Sequence, residues 1–522
     1  MNIFNHLPAL ALAVPMLGAF ASPVVNFVGG RKARSCWLLG ISALVTLIVF
    51  ALLCRVCALG TQIYVMGADS WNLALPSGFA IPVRIVIEVD AFNAVLAFAA
   101  ALSSFAGAVY GIKFVEKFTG LAYYSSLYLL LTVGTLGMIL TGDLFNFFVF
   151  MEIASVASFG LIAFWRDRAE SVEASFKYML VSQMSAMLIL MALAFIYGRY
   201  GVLNMAGFSR VVQTDLISKV TLIFILVALG MKCGAFPMHM WMPDSYAEAP
   251  ASVTVLLVAT SQASLVVLLR FCFTLYGTAM GMAVVPWALI IMGCLSMFCG
   301  VSMAVVQHEV KRLMGYHSVS QVGYMLTAFG VGLLALGDAD AMKAWGMTAI
   351  EGGVFHMINY MLYKGLLFLC AGALYYAVGS RDLDKMGGLA RKMPYTAGMF
   401  LVAAAAISGM PPFNGFVSKW MIYESVYAVH PILMVVALAT SVLTLASFVK
   451  VYQAAFLGAS RAALSSVREV PRAMLVGMAV LCAAILLLSF FPSWSVETLV
   501  RPAAEALVNR AAYQAAVLGG AL

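Results

Sequence analysis

The chain is 522 residues long, 64% hydrophobic and only 10% charged, with a formal net charge of +8. Soluble domains carry about 45–50% apolar and about 25% charged residues, and water would face the excess apolar surface of this chain. A soluble globular enzyme is therefore excluded, and the composition is that of an all-α polytopic membrane protein. Forty-three glycines and 33 methionines suit close, adaptable helix interfaces. The basic balance reads as orienting loop charge, with no nucleic-acid partner implied. Nine cysteines lie scattered in apolar stretches, and only Cys54 and Cys57 form a C-x-x-C. Without a second pair, no iron–sulfur or zinc site, and no cofactor or metal in this chain, is expected.

A span needs roughly 20 apolar residues to cross about 30 Å of hydrocarbon, and on that measure about 14 transmembrane helices are predicted. They lie near 4–26, 36–59, 91–112, 121–141, 144–165, 173–197, 218–240, 250–274, 283–306, 314–337, 346–378, 396–425, 430–457 and 471–491. The first 25 residues lack a basic leading region, so 4–26 is expected to be a span rather than a cleaved signal. Between the second and third spans, 83–90 (VRIVIEVD) alternates apolar and polar residues and reads as a short strand, half of a hairpin in an outer loop. From Val496 onward, Glu497, Arg501 and Glu505 recur every four residues with apolar residues opposite, the pattern of an interfacial tail helix.

Loop charge orients the spans. With both termini outside, the loops at 31–34, 113–117, 166–168, 311–312, 381–392 and 461–472 are cytoplasmic. They carry about 16 Lys or Arg against about 8 on the other side, as the positive-inside rule expects. The expected location is the cytoplasmic (inner) membrane of a bacterium or archaeon.

Ionisable residues at membrane depth cost roughly 2.5–3.5 kcal/mol on insertion scales, so they mark an interior, a partner or a pathway. Here they are Glu152, Lys177, Lys232, Arg270, His317, Glu351, His356, Lys364, Lys419, Glu424 and Lys450. Lys177, Arg270 and Lys450 are candidates for snorkelling to an interface. Glu152, Lys232, Lys364 and Lys419 sit inside apolar runs. His356, Tyr360 and Lys364 recur every four residues, a polar stripe about 12 Å tall on one helix face. Packing accounts readily for a lone histidine; three polar groups on one face favour a hydrated path.

Two spans are interrupted alike. In KCGAFPMHMWMPDSYAEAP (232–250), Gly234 and Pro237 break a helix just after Lys232; in SGMPPFNGFVSKW (408–420), Gly409, Pro411 and Pro412 break another just before Lys419. Proline removes a backbone donor, and the freed carbonyls must find neighbours or water. One such break is a packing kink; two in corresponding positions, each beside a lysine, are the sequence sign of an inverted-repeat transporter.

With DLFNFFVFMEIASVASFGLIAF (143–164), KRLMGYHSVSQVGYM (311–325), FHMINYMLYKGLLFLCAG (355–372) and RDLDKMGGL (381–389), these segments make a long ordered set of motifs. Over roughly residues 80–455 the chain resembles the antiporter-like subunits of respiratory complex I, of Mrp-type cation/proton antiporters and of membrane-bound hydrogenases. The SGMPPFNGFVSKW stretch looks most like the hydrogenase and formate-hydrogenlyase branch. The resemblance implies two inverted five-helix repeats with discontinuous helices at spans 7 and 12. The domains would be 1–120 (three spans and the outer loop), 121–274 and 283–457 (the repeats), and 458–522 (last span and tail). It implies a proton path at mid-membrane, in which Glu152 partners Lys232, Lys364 is the eleventh-span lysine, and Lys419 is the twelfth-span group. Gln262 stands where many members have a central lysine, Gln321 where some have histidine, and Tyr360 where histidine is common. Glutamine orders water but holds no titrating proton.

The function this implies is proton, or Na⁺/H⁺, translocation along Glu152, Lys232, Gln262, Gln321, His356, Tyr360, Lys364 and Lys419. The partners implied are other membrane subunits, homologous antiporter-like subunits and peripheral redox subunits. No P-loop or dinucleotide fingerprint is present, so ATP-driven transport and a redox centre in this chain are not expected. A non-pumping scaffold subunit, suggested by the glutamines, and a stand-alone cation/proton antiporter module remain alternatives; nothing singles out a quinone-binding enzyme.

Overall fold

The computed structural model describes residues 3–67, 73–74, 80–81, 84–118, 123–280, 284–459 and 461–519. Val83, Leu121, Ala122 and Ala283, assigned from the sequence to a strand and two spans, lie outside them. The helices are α1 Leu7–Leu59, α2 Ala91–Phe118, α3 Tyr124–Leu140, α4 Leu144–Ile162, α5 Ala169–Tyr200 and α6 Met205–Val211. They continue as α7 Leu216–Cys233, α8 Trp241–Glu248, α9 Ala251–Leu269, α10 Val284–Val305 and α11 Val310–Leu334. The short α12 Ala339–Ala341 runs through a π-turn into α13 Met347–Val378, followed by α14 Pro394–Ser408, α15 Asn414–Val429, α16 Pro431–Tyr452 and α17 Arg472–Phe490. The tail comprises α18 Pro492–Ser495, α19 Arg501–Val508 and α20 Arg510–Leu518.

Among the described residues, 10 helical stretches are long and apolar enough to cross a membrane, and α3 and α14 are shorter apolar helices. The chain is an integral membrane protein. The longest stretch is two helical segments. At Gly30 the backbone takes φ 67°, a region open to glycine, and leaves helical geometry. On either side the chain folds back on itself: Arg55 donates to Asn5 (2.8 Å), Arg34 to Asn26 (3.2 Å), and the Trp37 indole to the Gly18 carbonyl (2.9 Å).

Every residue of α9 is buried, as are nearly all of α11 and α13. These three helices form the interior. The outer helices α1, α5, α10 and α16 keep apolar faces exposed, among them Phe27, Met184, Phe298 and Val442, as lipid or a partner requires. Glycine lets backbones approach inside the bundle: a Cβ on Gly323 of α11 would lie 2.5 Å from the Gly293 carbonyl of α10.

The two ends of the bundle differ chemically. At one end lie the strands β1 Gln62–Val65, β2 Leu73–Ala74, β3 Ala80–Ile81 and β4 Val86–Val89. β1 pairs antiparallel with β4 (Gln62↔Val89 to Val65↔Val86), and β2 with β3. Ile87 bridges to Thr141, and Asp143 to Asn204, so the ribbon ties to the α3–α4 and α5–α6 turns. The tail covers this end through Ala503, Leu507, Tyr513 and Val517. Thr274 donates to the Leu507 carbonyl (2.9 Å), and Arg510 to the Tyr276 carbonyl (3.0 Å).

At the opposite end the 166–168 loop, the start of α11 at 309–312 and residue 381 meet α8 around an open cavity of about 450 Å³. Arg381 pairs with Glu248 (2.7 Å) and Glu309 (3.3 Å), and Lys177 with Asp244 (2.9 Å). Lys311 donates to the carbonyls of Ala247 (2.8 Å) and Ala249, the C-terminal end of α8, where the helix dipole favours a cation.

Candidate functional site

Both helix interruptions are built from the same chemistry. α7 ends with Gly234 at φ 77°, whose amide bonds the Met231 carbonyl while the Ala235 amide bonds Gly230. α14 ends with Gly409 at φ 73°, with Gly409 to Ala406 and Met410 to Ala405 in the same pattern. This is the Schellman closure, which needs a left-handed residue and hence favours glycine. Each is followed by a cis prolyl bond, Phe236–Pro237 and Pro411–Pro412. α8 and α15 then resume with backbone groups that neighbouring helices satisfy. The Phe236 amide donates to Ser296 (2.9 Å), and the Asn414 amide to Ser489 (2.9 Å).

Lys232 sits in the last turn of α7, buried. Its Nζ donates to Ser155 Oγ of α4 (2.6 Å) and Ser182 Oγ of α5 (2.5 Å). Glu152, one turn before Ser155, is instead the acceptor of Gln183 Nε2 (3.3 Å), and its Oε1 has no hydrogen bond. The predicted Glu152–Lys232 pairing is thus not a direct bond in this structure. Beside Lys232 is a small cavity of about 10 Å³, lined by Ser155, Tyr178, Thr260, Ser261 and Ser264, room for about one water.

Beyond it, the Tyr360 hydroxyl of α13 faces Ser261, Ser318 and Tyr246 without closing a hydrogen bond. Gln262 is buried on α9 with neither amide atom bonded. Gln321 of α11 accepts from the His356 ring Nε2 (3.1 Å) and the Tyr363 hydroxyl (3.2 Å). His356 Nδ1 meets Ser418 Oγ of α15 (3.1 Å), and Asn359 and Asn414 lock α13 to the start of α15 (2.7 Å). Lys364 Nζ donates to the Met314 carbonyl (2.6 Å). Lys419 Nζ donates to the Ile407 carbonyl at the end of α14 (2.9 Å) and to Ser441 Oγ (2.9 Å), over the Tyr324 ring at 4.7 Å.

The structure therefore gathers Gln321, His356, Tyr360, Lys364 and Lys419 around α11, α13 and α15, with Lys232 and Glu152 at α4, α5 and α7. Sequence reading passed over Ser155, Ser182, Asn359, Tyr363, Ser418 and Ser441. Asn359 and Tyr363 stand at i+3 and i+7 from His356, on the face that a four-residue count had already marked. The three snorkelling candidates separate. Lys177 is half-exposed and ion-paired, Lys450 donates to the Val305 (2.6 Å) and Gln307 (2.8 Å) carbonyls, and Arg270 is buried. Glu351 is held by Arg501 of the tail (3.1 Å).

Arg270 belongs to a second buried cluster, at the strand end. It pairs with Asp90, donates to Asn93 (3.0 Å) and lies between the rings of Phe92 (5.4 Å) and Tyr513 (5.2 Å). Glu88 of β4 accepts from the Tyr513 hydroxyl. Burial pushes the Glu88 carboxyl up to about 8, against the opposing pull of Tyr513 and Arg270. Among the described residues, no group of three or more His, Cys, Asp or Glu side chains could hold a metal ion.

Residues 141–444, which carry Glu152, Lys232, Gln262, Gln321, His356, Tyr360, Lys364 and Lys419, match the NADH:quinone oxidoreductase/Mrp antiporter transmembrane family. The chain belongs to that family. It is similar to a Na⁺/H⁺ antiporter subunit of Alkalihalophilus pseudofirmus, 32% identical over 383 residues (72% of this chain, 74% of the relative). It is also similar to NADH-quinone oxidoreductase subunit N of Desulforudis audaxviator, 30% identical over 519 residues (95% of this chain, 98% of the relative). Among solved structures, a chain of the membrane-bound sulfane sulfur reductase, an archaeal respiratory membrane complex, superposes with a TM-score of 0.85. It is 28% identical, and the match covers 98% of this chain and all of that one. A further relative is Hydrogenase-4 component B of Escherichia coli, 28% identical over 450 residues (81% of this chain, 65% of the relative).

Proposed function

We propose that this chain is a proton-translocating, antiporter-like subunit of a multi-subunit membrane complex, moving H⁺, or exchanging H⁺ for Na⁺, along a polar path at mid-membrane. The observation that carries this reading is how its buried lysines are held. Lys232, Lys364 and Lys419 are all buried, and their hydrogen bonds go to hydroxyls and backbone carbonyls rather than carboxylates. Arg270, the buried cation at the strand end, is instead paired with a carboxylate, Asp90. A lysine on neutral acceptors can release its proton without stranding a carboxylate, the property a relay needs.

The path runs from Lys232 through the small cavity to Ser261 and Tyr360, then by Gln321 and His356 to Ser418 and Lys419, with Lys364 beside it. In this reading Gln262, whose amide atoms are otherwise unbonded, orders water on the stretch between Lys232 and His356. Glu152 is the carboxylate that Lys232 approaches and leaves.

In this reading α1 counts as two passes, and α7–α8 and α14–α15 as one interrupted span each, giving about 14 passes in all. Residues 121–274 and 283–457 are two inverted five-helix repeats, between the N-terminal region 1–120 and the last span and tail at 458–522. The gathering of basic loops at the α8 end supports a cytoplasmic face there, with both termini outside, in a bacterial or archaeal inner membrane. The names of the relatives support partners of the same kind: other membrane subunits, homologous antiporter-like subunits and peripheral redox subunits.

The test is ion flux in vesicles carrying the intact complex. Lys232→Ala is expected to abolish coupled H⁺ or Na⁺ movement while the complex still assembles. Unchanged flux would sink the proposal.

A further inference from the structure

The Lys232 ammonium rests on two serines, not on the nearest carboxylate, and those serines are arranged as acceptors. Ser182 Oγ gives its only proton to Ser155 Oγ (2.9 Å), and Ser155 gives its own to the Met151 carbonyl (2.7 Å). With both hydroxyl protons directed away, a lone pair on each oxygen is free for Lys232, which bonds both at 2.6 and 2.5 Å. The hydroxyls belong to different helices, so the seat exists only while α4 and α5 are packed together.

Glu152 offers a second seat close by. It lies three residues before Ser155 on α4, hence on the same face one turn away. Its Oε2 is held by Gln183, the residue next to Ser182, while its Oε1 is buried with no hydrogen bond. An unpaired, buried carboxylate oxygen is expensive to leave unmet. The elements packed around Lys232 present it with few other groups: Tyr178 from α5, Trp241 from α8, and Thr260, Ser261 and Ser264 from α9. Among the described residues lining that cavity none is acidic and none but Lys232 is cationic, and Glu152 is the carboxylate that acts on the ammonium.

We infer that Ser155 and Ser182 are positioning residues that give the Lys232 ammonium an uncharged seat separate from Glu152, so that the lysine alternates between two defined positions. This rests on the translocation reading above. On the carboxylate the ammonium has a countercharge; on the hydroxyls it has hydrogen bonds alone and faces the water-sized cavity. Without the serine seat, the lysine would collapse onto the unmet Glu152 oxygen and stay there, and turnover would stall. No proton passes through the serines themselves, since each hydroxyl proton is directed away from the lysine.

The experiment uses the intact complex in vesicles, with the amount of assembled chain measured for every variant. The Ser155→Ala/Ser182→Ala double substitution is expected to lower the flux per assembled complex at least about tenfold. Ser155→Thr and Ser182→Thr, which restore the hydroxyl, are expected to stay within about twofold of the parent, which loss of packing alone would not produce. Adding Glu152→Gln to the double alanine variant is expected to change flux by less than the product of the separate effects, because the two seats compete for one ammonium. Parental flux in the double alanine variant, threonine variants no better than alanine, or multiplicative effects with Glu152→Gln would each overturn the inference. Lys232→Ala separates the two claims. If it abolishes flux and the serine variants do not, the seat is wrong and the translocation reading stands; if it leaves flux unchanged, the reading itself is wrong.

Discussion

His356 and Gln321 meet at 3.1 Å between α13 and α11, and the same Gln321 oxygen takes the Tyr363 hydroxyl at 3.2 Å. One carbonyl oxygen therefore orients both the ring and the phenol. A ring bonded to that acceptor donates from Nε2, and Nδ1 faces Ser418 at 3.1 Å. Gln321 on one side and Ser418 on the other thereby hold the ring in one orientation. Gln321→Leu removes the acceptor from two buried donors at a cost of about 1–3 kcal/mol each. Flux is expected to fall at least about tenfold, from a misoriented ring. Gln321→Glu, which keeps the acceptor, is expected to retain more flux than Gln321→Leu. Flux assays on assembled complexes check the order.

The Asp90–Arg270 pair is a structural counterpart to the unpaired lysines. Breaking a buried ion pair by removing one partner costs about 3–5 kcal/mol, because the remaining charge is stranded. Asp90→Ala is expected to destabilise the strand end by that order and to loosen the tail, since Arg270 also lies against Tyr513. Removing both charges with Asp90→Ala/Arg270→Leu is expected to cost less than Asp90→Ala alone. Thermal unfolding of the purified complex, with hydrogen exchange read at β4 and α20, measures both effects.

The junction of α14 and α15 leaves no room for a side chain at Gly415. A Cβ there would lie 1.8 Å from the Ala406 carbonyl, a backbone atom that cannot step aside. Gly415→Ala is expected to push α15 off α14, carry Lys419 away from the Ile407 carbonyl, and remove the chain from the assembled complex. At Gly398 on α14, a Cβ would meet nothing within 4 Å. Gly398→Ala is therefore expected to be tolerated, with helix propensity favouring alanine by up to about 1 kcal/mol. Immunoblotting of membrane fractions and purified complexes distinguishes the two.

The features legible from the sequence are those whose signal is local. The broken helices announce themselves because Gly234 with Pro237, and Gly409 with Pro411 and Pro412, are residue types that an unbroken helix rejects. The His356–Tyr360–Lys364 stripe is legible because helical periodicity places those residues on one face of α13. Ser155 and Ser182 carry no such signal. A serine in an apolar helix can satisfy its hydroxyl on its own preceding turn, as Ser158 does on Ala154, and is then indistinguishable from one that holds a lysine. Arg270 reads as a candidate for snorkelling because its counterion, Asp90, stands 180 positions earlier. The tail's contact with Glu88 through Tyr513 spans 425 positions. No periodicity reaches across such distances; only the packed fold brings those groups together.

Glu88 makes the strand end sensitive to pH, and the sign follows from linkage. Its carboxyl titrates near 8 in the folded chain, raised chiefly by burial, against an ordinary value of 4.5. Between those two values the folded chain holds a proton that the unfolded chain has lost, so stability falls as pH rises from about 4.5 to about 8 and then levels off. Below that window the group is protonated in both states and contributes no slope. Once ionised, Glu88 is a second buried carboxylate acting against Asp90, and the cost of burying that charge outweighs the pull of Arg270 and the Tyr513 hydroxyl. The expected outcome is growing hydrogen exchange in β4 and α20, and a falling unfolding temperature, as pH is raised through neutrality to about 8. Glu88→Gln keeps an acceptor for the Tyr513 hydroxyl but cannot ionise, so it is expected to flatten that dependence while leaving α20 docked. A pH series of exchange measurements on the parent and Glu88→Gln complexes decides the matter: equal slopes in the two would mean that another group drives the response.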